Sequence, residues 1–206
     1  MKLNGKSLRL HTAALFVATS LSLPVTGRAQ AINASASRTP VAKVAVDNFG
    51  QIGPTYYRGA QPKARDYVDL AALGIKTVVD LTSDDRDAGE PQMVERAGMQ
   101  YVHIPMTTRT APTAAQLAEF LKIVTEPANQ PVYVHCVGGR HRTGVMTAIF
   151  RMTHDGWTAD RAFAEMKRYK FGADMFHPEF KSFIYAYRAD GAAAPAPVAG
   201  SKTGGK

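Results

Sequence analysis

The sequence predicts an α/β domain in which helices flank a central, largely parallel sheet of about four to five strands. Between residues 47 and 190, short hydrophobic runs suited to strands alternate with longer runs of helical periodicity, a pattern typical of strands joined by helical crossovers. The chain has 206 residues, 45% hydrophobic and 20% charged, which is ordinary for one globular core. Because no internal repeat or long linker interrupts residues 47–190, we expect one domain there.

Hydrophobic periodicity places the elements in order along the domain. The predicted strands are Thr55–Arg58, Lys76–Leu81, Gln100–Pro105 and Pro131–His135. The predicted helices are Ala64–Leu73, Pro91–Ala97, Thr113–Thr125, Thr143–His154, Thr158–Tyr169 and Pro178–Arg188. Gly74 and Gly98 stand where a glycine ends a helix, and Thr113 and Gln116 have capping-box spacing. The last helix is amphipathic, with one apolar face made of Phe180, Phe183, Ile184 and Tyr187.

The two ends of the chain differ in composition from the predicted domain. Near the start, three basic residues precede the uncharged stretch Thr12–Thr26, and Ala29–Ala31 has the small-x-small form of a cleavage site. This pattern predicts a secretory signal peptide over residues 1–31; an uncleaved anchor is the weaker alternative because the apolar stretch is short. Residues 32–46 predict a flexible segment and residues 191–206 a disordered tail. We therefore expect an exported protein, either periplasmic or secreted.

The formal net charge of +8 is carried by these ends. Eight of the 25 basic residues lie outside the predicted domain: Lys2, Lys6, Arg9, Arg28, Arg38, Lys43, Lys202 and Lys206. The remaining 17 basic residues balance 17 acidic residues, so the domain is formally neutral. The charge pattern therefore excludes nucleic acid and, after signal cleavage, a membrane surface as expected partners.

The chain has a single cysteine, Cys136, so an intramolecular disulfide is excluded. A lone cysteine is ordinarily a small buried hydrophobic residue. Its neighbours favour a reactive thiol instead, since the residues run His135-Cys136-Val137-Gly138-Gly139-Arg140-His141-Arg142-Thr143-Gly144 at a predicted turn from strand to helix.

Such a turn predicts a phosphate-binding loop. The backbone N–H groups of residues 137–142 would surround a small anion at the start of the following helix. Gly138 and Gly139 allow positive φ and keep side chains away from the anion. Arg142 can give a planar, two-pronged contact to two phosphate oxygens. These groups should also lower the pKa of Cys136, leaving a thiolate placed to attack a bound phosphoryl group.

Other residues of the loop have two interpretations each. His135 is either a core histidine or a residue that orients the loop. Thr143 is either a helix N-cap or the donor of a hydroxyl that assists departure of the thiolate from a phosphocysteine. Arg140 and His141 are either solvated or in contact with the substrate, as part of a substrate-binding set formed by Val137, Gly138, Gly139, Arg140 and His141.

The segment His135–Gly144 resembles the His-Cys-x5-Arg-Thr-Gly signature of the protein tyrosine and dual-specificity phosphatase superfamily, and the order of elements matches over roughly residues 55–188. Tyr57–Pro62 (Tyr-Arg-Gly-Ala-Gln-Pro) and Leu73–Leu81 are similar to segments of the compact atypical phosphatases of bacteria, plants and fungi. The resemblance implies a cysteine phosphatase fold and a two-step reaction, in which a phosphocysteine forms and water then hydrolyses it. It also implies that no metal and no cofactor is needed.

One part of the resembled family's machinery is missing. Its general acid is an Asp on the loop that corresponds here to Pro105–Pro112, and this loop has no carboxylate. Arg109 on that loop is either solvated or in contact with an anionic substrate. An acidic cluster follows the strand Lys76–Leu81, at the same sheet edge as the cysteine, and comprises Asp84, Asp85, Asp87 and Glu90. We take Asp85 or Asp87 as the candidate acid, the alternative being a solvated turn.

These observations predict a phosphatase that acts on phosphotyrosine or a related phosphoester, on a phosphorylated protein or a small phosphorylated molecule. A missing acid matters less for good leaving groups, so an inositol pyrophosphate or another polyphosphorylated small molecule is an alternative substrate. A weakly active phosphate-binding module is a second alternative. Sulfur transfer of the rhodanese kind is disfavoured because it does not need Arg142 and Thr143. The oligomeric state is left open.

Overall fold

The computed structural model describes residues 44–83 and 85–188. The strands are β1 (Gly50–Gly53), β2 (Tyr56–Gly59), β3 (Thr77–Thr82), β4 (Gln100–Met106) and β5 (Val132–His135). The helices are α1 (Asp66–Ala72), α2 (Glu90–Arg96), α3 (Ala114–Thr125), α4 (Arg142–His154), α5 (Ala159–Arg168) and α6 (Pro178–Ala186). The predicted signal peptide and C-terminal tail lie outside the described residues. In the described part of the chain, no helix is both long and apolar enough to cross a membrane.

The five strands form one sheet in the order β1-β2-β5-β3-β4. β1 is antiparallel to β2, and the other neighbours are parallel, so the predicted largely parallel α/β sheet is confirmed. β1 was not predicted from the sequence; it is a four-residue strand that pairs Gly50 with Arg58 of β2. Because β5 lies between β2 and β3, the loop that follows it leaves from the middle of the carboxyl edge, where parallel sheets place ligand sites.

The two faces of the sheet carry separate hydrophobic cores. Alternate residues of β5 point to opposite faces: Val134 packs with the α3–α6 side of the sheet, and Tyr133 packs with the α1 and α2 side. Val46 is buried in the second core, so the packed part of the chain begins before Asp47. With helices on both faces, the carboxyl edge between them remains open for a site.

The helix ends follow the local signals in the sequence. Gly74 and Gly98 have φ of +84° and +82° just after α1 and α2, a conformation that glycine adopts without strain. Thr113 and Gln116 form both hydrogen bonds of the predicted capping box at the start of α3. Phe180 and Ile184 of α6 are buried, and Phe183 and Tyr187 are partly buried against the same core. These predictions are confirmed.

Candidate active site

The Cys136 loop joins the end of β5 to the first turn of α4, as the sequence predicts. Cys136 is 3% exposed and follows directly after His135. His141 occupies the N-cap position of α4, and its side chain makes no capping hydrogen bond. The N–H groups that open a helix have no acceptor within the helix, so this end of α4 is suited to a bound anion.

The pKa of the Cys136 thiol is held below its ordinary value. Burial by itself would raise that pKa, but hydrogen bonds from the hydroxyl and backbone N–H of Thr143, together with the charge of Arg142, outweigh burial. The buried Thr143 hydroxyl has no hydrogen-bond partner among the described residues, so it is available to the sulfur. The thiolate is therefore favoured as the nucleophile.

Arg142 presents its guanidinium as a fork, and a carboxylate occupies it. Nη1 and Nη2 each donate to one oxygen of Asp85, both at 3.0 Å, and Nη1 also lies 3.2 Å from the carbonyl oxygen of Met106. The Arg142 side chain is 3% exposed, whereas that of Asp85 is 47% exposed. Two parallel donors of this kind match two oxygens of a phosphate, so Asp85 stands where an oxyanion would bind.

A pocket of about 380 Å³ opens above the sulfur. Eight residues line it: Asp85, Thr108, Cys136, Val137, Gly138, Arg140, His141 and Arg142. The loop residues expected to bind substrate are therefore brought together here, with the exception of Gly139. Arg109 lies instead in an adjoining pocket with Thr108, Phe176, His177 and Glu179.

The acidic cluster is divided by the fold. Asp85 lies in the same pocket as Cys136. Asp87 is exposed, does not line that pocket, and accepts a hydrogen bond from the N–H of Gly89 at 2.8 Å. Asp84 lies outside the described residues. Of the two candidate acids, the structure therefore places only Asp85 beside the nucleophile, and Asp87 is better explained by the turn that it caps.

Glu90, the fourth member of the cluster, is buried beneath the loop with His135. The Nε2 atom of His135 is 2.9 Å from Oε1 of Glu90, and the hydroxyl of Tyr67 donates to the same oxygen at 2.9 Å. Burial would lower the pKa of His135, but the hydrogen bond and negative charge of Glu90 raise it overall. His135 is thus paired with Glu90 beneath the loop, which fits the orienting interpretation better than that of an isolated core histidine.

One group of potential metal ligands occurs in the described part of the chain. Asp80, Glu90 and His135 each place one ligand atom within 4.8 Å of the others. Both oxygens of Asp80 already accept hydrogen bonds, from Thr82 and from the hydroxyl of Tyr101. Glu90 in turn pairs with His135, so we interpret the trio as buried polar groups with partners of their own and not as a metal site.

The two loop glycines have different roles. Gly139 has φ of +61°, and a Cβ atom there would lie 2.3 Å from the backbone of Gly59. Gly138 does not have a positive φ, and its Cβ would meet only the flexible Arg140 side chain at 3.5 Å. The expectation of positive φ is confirmed for Gly139 and wrong for Gly138, because only Gly139 turns the loop against β2.

The outer part of the loop contacts neighbouring segments. Arg140 is partly exposed, with Nη2 4.0 Å from a carboxylate oxygen of Asp47. Nε2 of His141 lies 3.0 Å from the carbonyl oxygen of Phe171, and its ring centroid is 3.8 Å from that of His177. Burial and the neighbouring charge of His177 lower the pKa of His141. At neutral pH His141 therefore lines the pocket as a neutral polar side chain, while Arg140 brings a positive charge to the pocket.

Two residues that were not predicted from the sequence bind the back of the loop. The carbonyl oxygen of Gly139 accepts hydrogen bonds from Nδ2 of Asn48, at 2.7 Å, and from Nη2 of Arg58. Arg58 belongs to the Tyr57–Pro62 segment that carried part of the family resemblance, which was the available signal. No sequence signal indicated Asn48, because its role depends on a contact with a residue 91 positions away.

Comparison with known proteins agrees with this geometry. Residues 46–181 match the family described as DSP-PTPase phosphatase fused to NAD+ kinase. The dual specificity protein phosphatase TpbA of Pseudomonas aeruginosa strain UCBPP-PA14 is 30% identical over 187 residues, which cover 89% of this chain and 82% of that protein. The inositol diphosphatase SIW14 of Saccharomyces cerevisiae is 26% identical over 130 residues, which cover 61% of this chain and 46% of that protein.

A solved structure shows the same fold. The crystal structure of a Cys-to-Ser form of P. aeruginosa TpbA in complex with phosphotyrosine superimposes with a TM-score of 0.61 at 27% identity. The match covers 75% of this chain and 95% of that one.

Proposed function

This chain belongs to the family of dual-specificity and tyrosine phosphatases, and from that membership and the geometry of its site we propose that it preferentially hydrolyses phosphotyrosine in a protein substrate. The enzyme class follows from the family; the substrate is the proposal. The reaction rests on a buried thiol of lowered pKa that lines one pocket with Arg142, and the choice of substrate rests on the apolar surfaces beside that thiol.

The reaction runs in two steps on the Cys136 sulfur. The thiolate attacks phosphorus while the Arg142 fork and the loop N–H groups bind the phosphoryl oxygens. An S–P bond forms, the P–O bond to the leaving group breaks, and the leaving oxygen takes up a proton from solvent or from the Asp85 carboxyl group. Water then attacks phosphorus and gives up a proton to solvent or to the Asp85 carboxylate, and the electron pair of the S–P bond returns to sulfur. The Thr143 hydroxyl stabilises the thiolate released in this second step.

The composition of the pocket favours an aryl phosphate over an alkyl phosphate. No carboxylate lies on the loop Pro105–Pro112, and both oxygens of the candidate acid Asp85 are bound to Arg142. A leaving group that departs readily without protonation is therefore an advantage. A phenol, with a pKa of about 10, leaves more readily than an aliphatic alcohol. The pocket wall includes the half-exposed side chain of Val137, and Phe176 is exposed in the adjoining pocket. These apolar surfaces suit an aromatic ring, and the relative bound to phosphotyrosine supports this choice.

A phosphoanhydride of a small polyphosphorylated molecule is the second candidate. A phosphate leaving group needs no acid, and Arg109, Arg140 and the two neighbouring histidines place basic groups around the mouth. The inositol diphosphatase relative supports this reading. Against it, Asp47 lies beside Arg140, and Glu179 lies 3.3 Å from His177. These carboxylates reduce the positive charge available to further phosphates, so phosphotyrosine remains the preferred substrate.

Substrate ranking tests the proposal. Purified protein lacking residues 1–31 is assayed with a phosphotyrosine peptide, a phosphoserine peptide, phosphoinositides and inositol polyphosphates, in the presence of EDTA. We expect the highest kcat/KM for the phosphotyrosine peptide. A higher value for an inositol pyrophosphate would favour the second candidate. Cys136→Ser should abolish turnover while retaining phosphate binding, and turnover that survives this change would contradict the mechanism for every substrate.

We also propose that the enzyme acts after export. The support is the basic start, apolar stretch and small-x-small site within residues 1–31. When the full chain is expressed in a Gram-negative host, the periplasmic fraction should contain a shortened protein whose mass corresponds to cleavage near Ala31. A full-length protein confined to the cytoplasm would contradict export.

A further inference from the structure

Arg58 is a buried cation behind the active-site loop. Its side chain is 0% exposed, and among the described residues no carboxylate forms an ion pair with it. Nη2 donates to the carbonyl oxygen of Gly139, whereas Nε and Nη1 have no hydrogen-bond partner in the described structure. A buried charge without a counter-charge is costly, so the fold must offset the cost of burying Arg58.

The surroundings fix the guanidinium in one place. Its central carbon lies 4.1 Å from the centroid of the Tyr169 ring, a cation–π contact. Gly50 pairs with Arg58 across β1 and β2, and any Cβ atom at Gly50 would collide with the Tyr169 side chain. The absence of a side chain at Gly50 therefore lets Tyr169 cover Arg58. On the other side Arg58 pairs in register with Val134, two residues before Cys136.

Two acidic groups act on this cation through their charge, Cys136 and Glu165, and Glu165 is already paired with Arg151 at 3.0 Å. Burial lowers the pKa of Arg58, while the neighbouring tyrosines and the negative charges of Cys136 and Glu165 act in the opposite direction. Arg142 also faces the sulfur, but its fork is engaged by Asp85 at rest and would be engaged by phosphate in the complex. Arg58 approaches from behind the loop, so a bound substrate leaves its charge in place.

The bond to Gly139 has a second effect. A peptide group whose carbonyl is held at the back of the loop turns its N–H toward the front. Asn48 holds the same carbonyl and also donates to the carbonyl oxygen of Tyr169 at 3.0 Å. Two donors therefore fix this peptide, and only one of them is charged, which allows their effects to be separated.

We propose that Arg58 is a positioning residue whose buried positive charge stabilises the Cys136 thiolate from behind the loop while its Nη2 holds the Gly139 carbonyl. The proposal rests on the thiolate mechanism proposed above and adds a residue to it. In this arrangement Arg142 binds the phosphoryl group, and Arg58 stabilises the sulfur anion.

The test is the rate of Cys136 alkylation by iodoacetamide as a function of pH. Arg58→Gln removes the charge but keeps a side-chain N–H donor, and Arg58→Lys keeps the charge. At the pH where one tenth of the parent thiol is ionised, we expect Arg58→Gln to react about fivefold to tenfold more slowly and Arg58→Lys within about twofold of the parent. Asn48→Ala, which removes the uncharged donor to Gly139, should also stay within about twofold of the parent.

Two outcomes would overturn the proposal. One is an Arg58→Gln rate equal to that of the parent. The other is an equal slowing in Asn48→Ala, because the effect would then come from the carbonyl bond and not from charge. Arg65→Gln controls for loss of an exposed arginine from the same chain. Alkylation needs no substrate, so the result can be interpreted even if the substrate assignment is wrong. If the parent turns over normally but Arg58→Gln is alkylated at the parental rate, only the role of Arg58 is overturned.

A measurement on the unaltered side chain covers the case in which Arg58→Gln does not fold. The ¹⁵Nε resonance of Arg58 is followed by NMR through the pH range in which the thiol ionises. It should shift with the ionisation of Cys136 in the parent and stay flat in Cys136→Ser. A flat response in the parent would overturn the proposal.

Discussion

The pairing of Asp85 with Arg142 gives a prediction about phosphate affinity. Both guanidinium donors that a phosphate requires are occupied by the Asp85 carboxylate, each at 3.0 Å. An incoming oxyanion must displace this carboxylate before it can use the fork. Asp85→Asn removes the charge that competes with phosphate and leaves a side chain of nearly the same size. We therefore expect this variant to bind phosphate more tightly than the parent.

The expected magnitude follows from the exposure of the pair. Two-pronged, charge-assisted bonds are among the stronger ones in proteins, but the Asp85 side chain is 47% exposed. Screening by water reduces such a pair to about 1 kcal/mol, which corresponds to roughly a fivefold change in affinity. The assay is competitive inhibition of p-nitrophenyl phosphate hydrolysis by inorganic phosphate at low ionic strength. The inhibition constant should fall about fivefold in Asp85→Asn.

The same variant tests Asp85 as the general acid. If Asp85 protonates the leaving oxygen, kcat for phenyl phosphate should fall by about 10²- to 10⁴-fold, with a much smaller loss for p-nitrophenyl phosphate. Asp87→Asn is the matched control, because Asp87 caps a turn outside the pocket. Its inhibition constant for phosphate and its kcat should stay within about twofold of the parent values. An unchanged or larger inhibition constant in Asp85→Asn would refute the reasoning that the carboxylate occupies the anion site. Equal losses on both substrates would refute its role as the acid.

Three further predictions concern the network around the nucleophile. Thr143→Ala should raise the pKa of the thiol and slow its alkylation at low pH, with Thr143→Ser restoring the rate; an unchanged profile would show that the hydroxyl does not bind sulfur. Glu90→Gln should cost roughly 3 kcal/mol at pH 6 in urea unfolding. The pKa of His135 is raised from 6.5 in the folded protein. The His135–Glu90 pair therefore contributes its full stabilising free energy below pH 6.5 and loses it as the pH rises through the folded pKa. The cost of Glu90→Gln should thus shrink toward pH 9, and a constant cost would contradict the pairing. Gly139→Ala should cost about 2 to 5 kcal/mol, whereas Gly138→Ala should cost less than about 1 kcal/mol; similar costs would contradict the packing of the loop.

Much of the fold was predictable because its signals are local. Gly74 and Gly98 end helices through a conformation that glycine itself allows, and the capping box of Thr113 uses a partner three residues away. Hydrophobic periodicity located the other strands and the six α-helices of residues 44–188 for the same reason. β1 was missed because four residues with two glycines have no intrinsic strand signal. They form a strand only by pairing with β2.

The nucleophile and the anion loop were determined by the sequence alone, since Cys136 through Arg142 are contiguous and their geometry follows from one turn between a strand and a helix. The tertiary structure decided which groups surround that loop. Asp85 reaches Arg142 across 57 residues, and Arg58 reaches the Gly139 carbonyl across 81. Such contacts depend on β5 lying between β2 and β3 in the sheet, an order that no local pattern of residues encodes. The phosphate chemistry is therefore encoded in one segment, while the charge balance around the thiolate exists only in the folded chain.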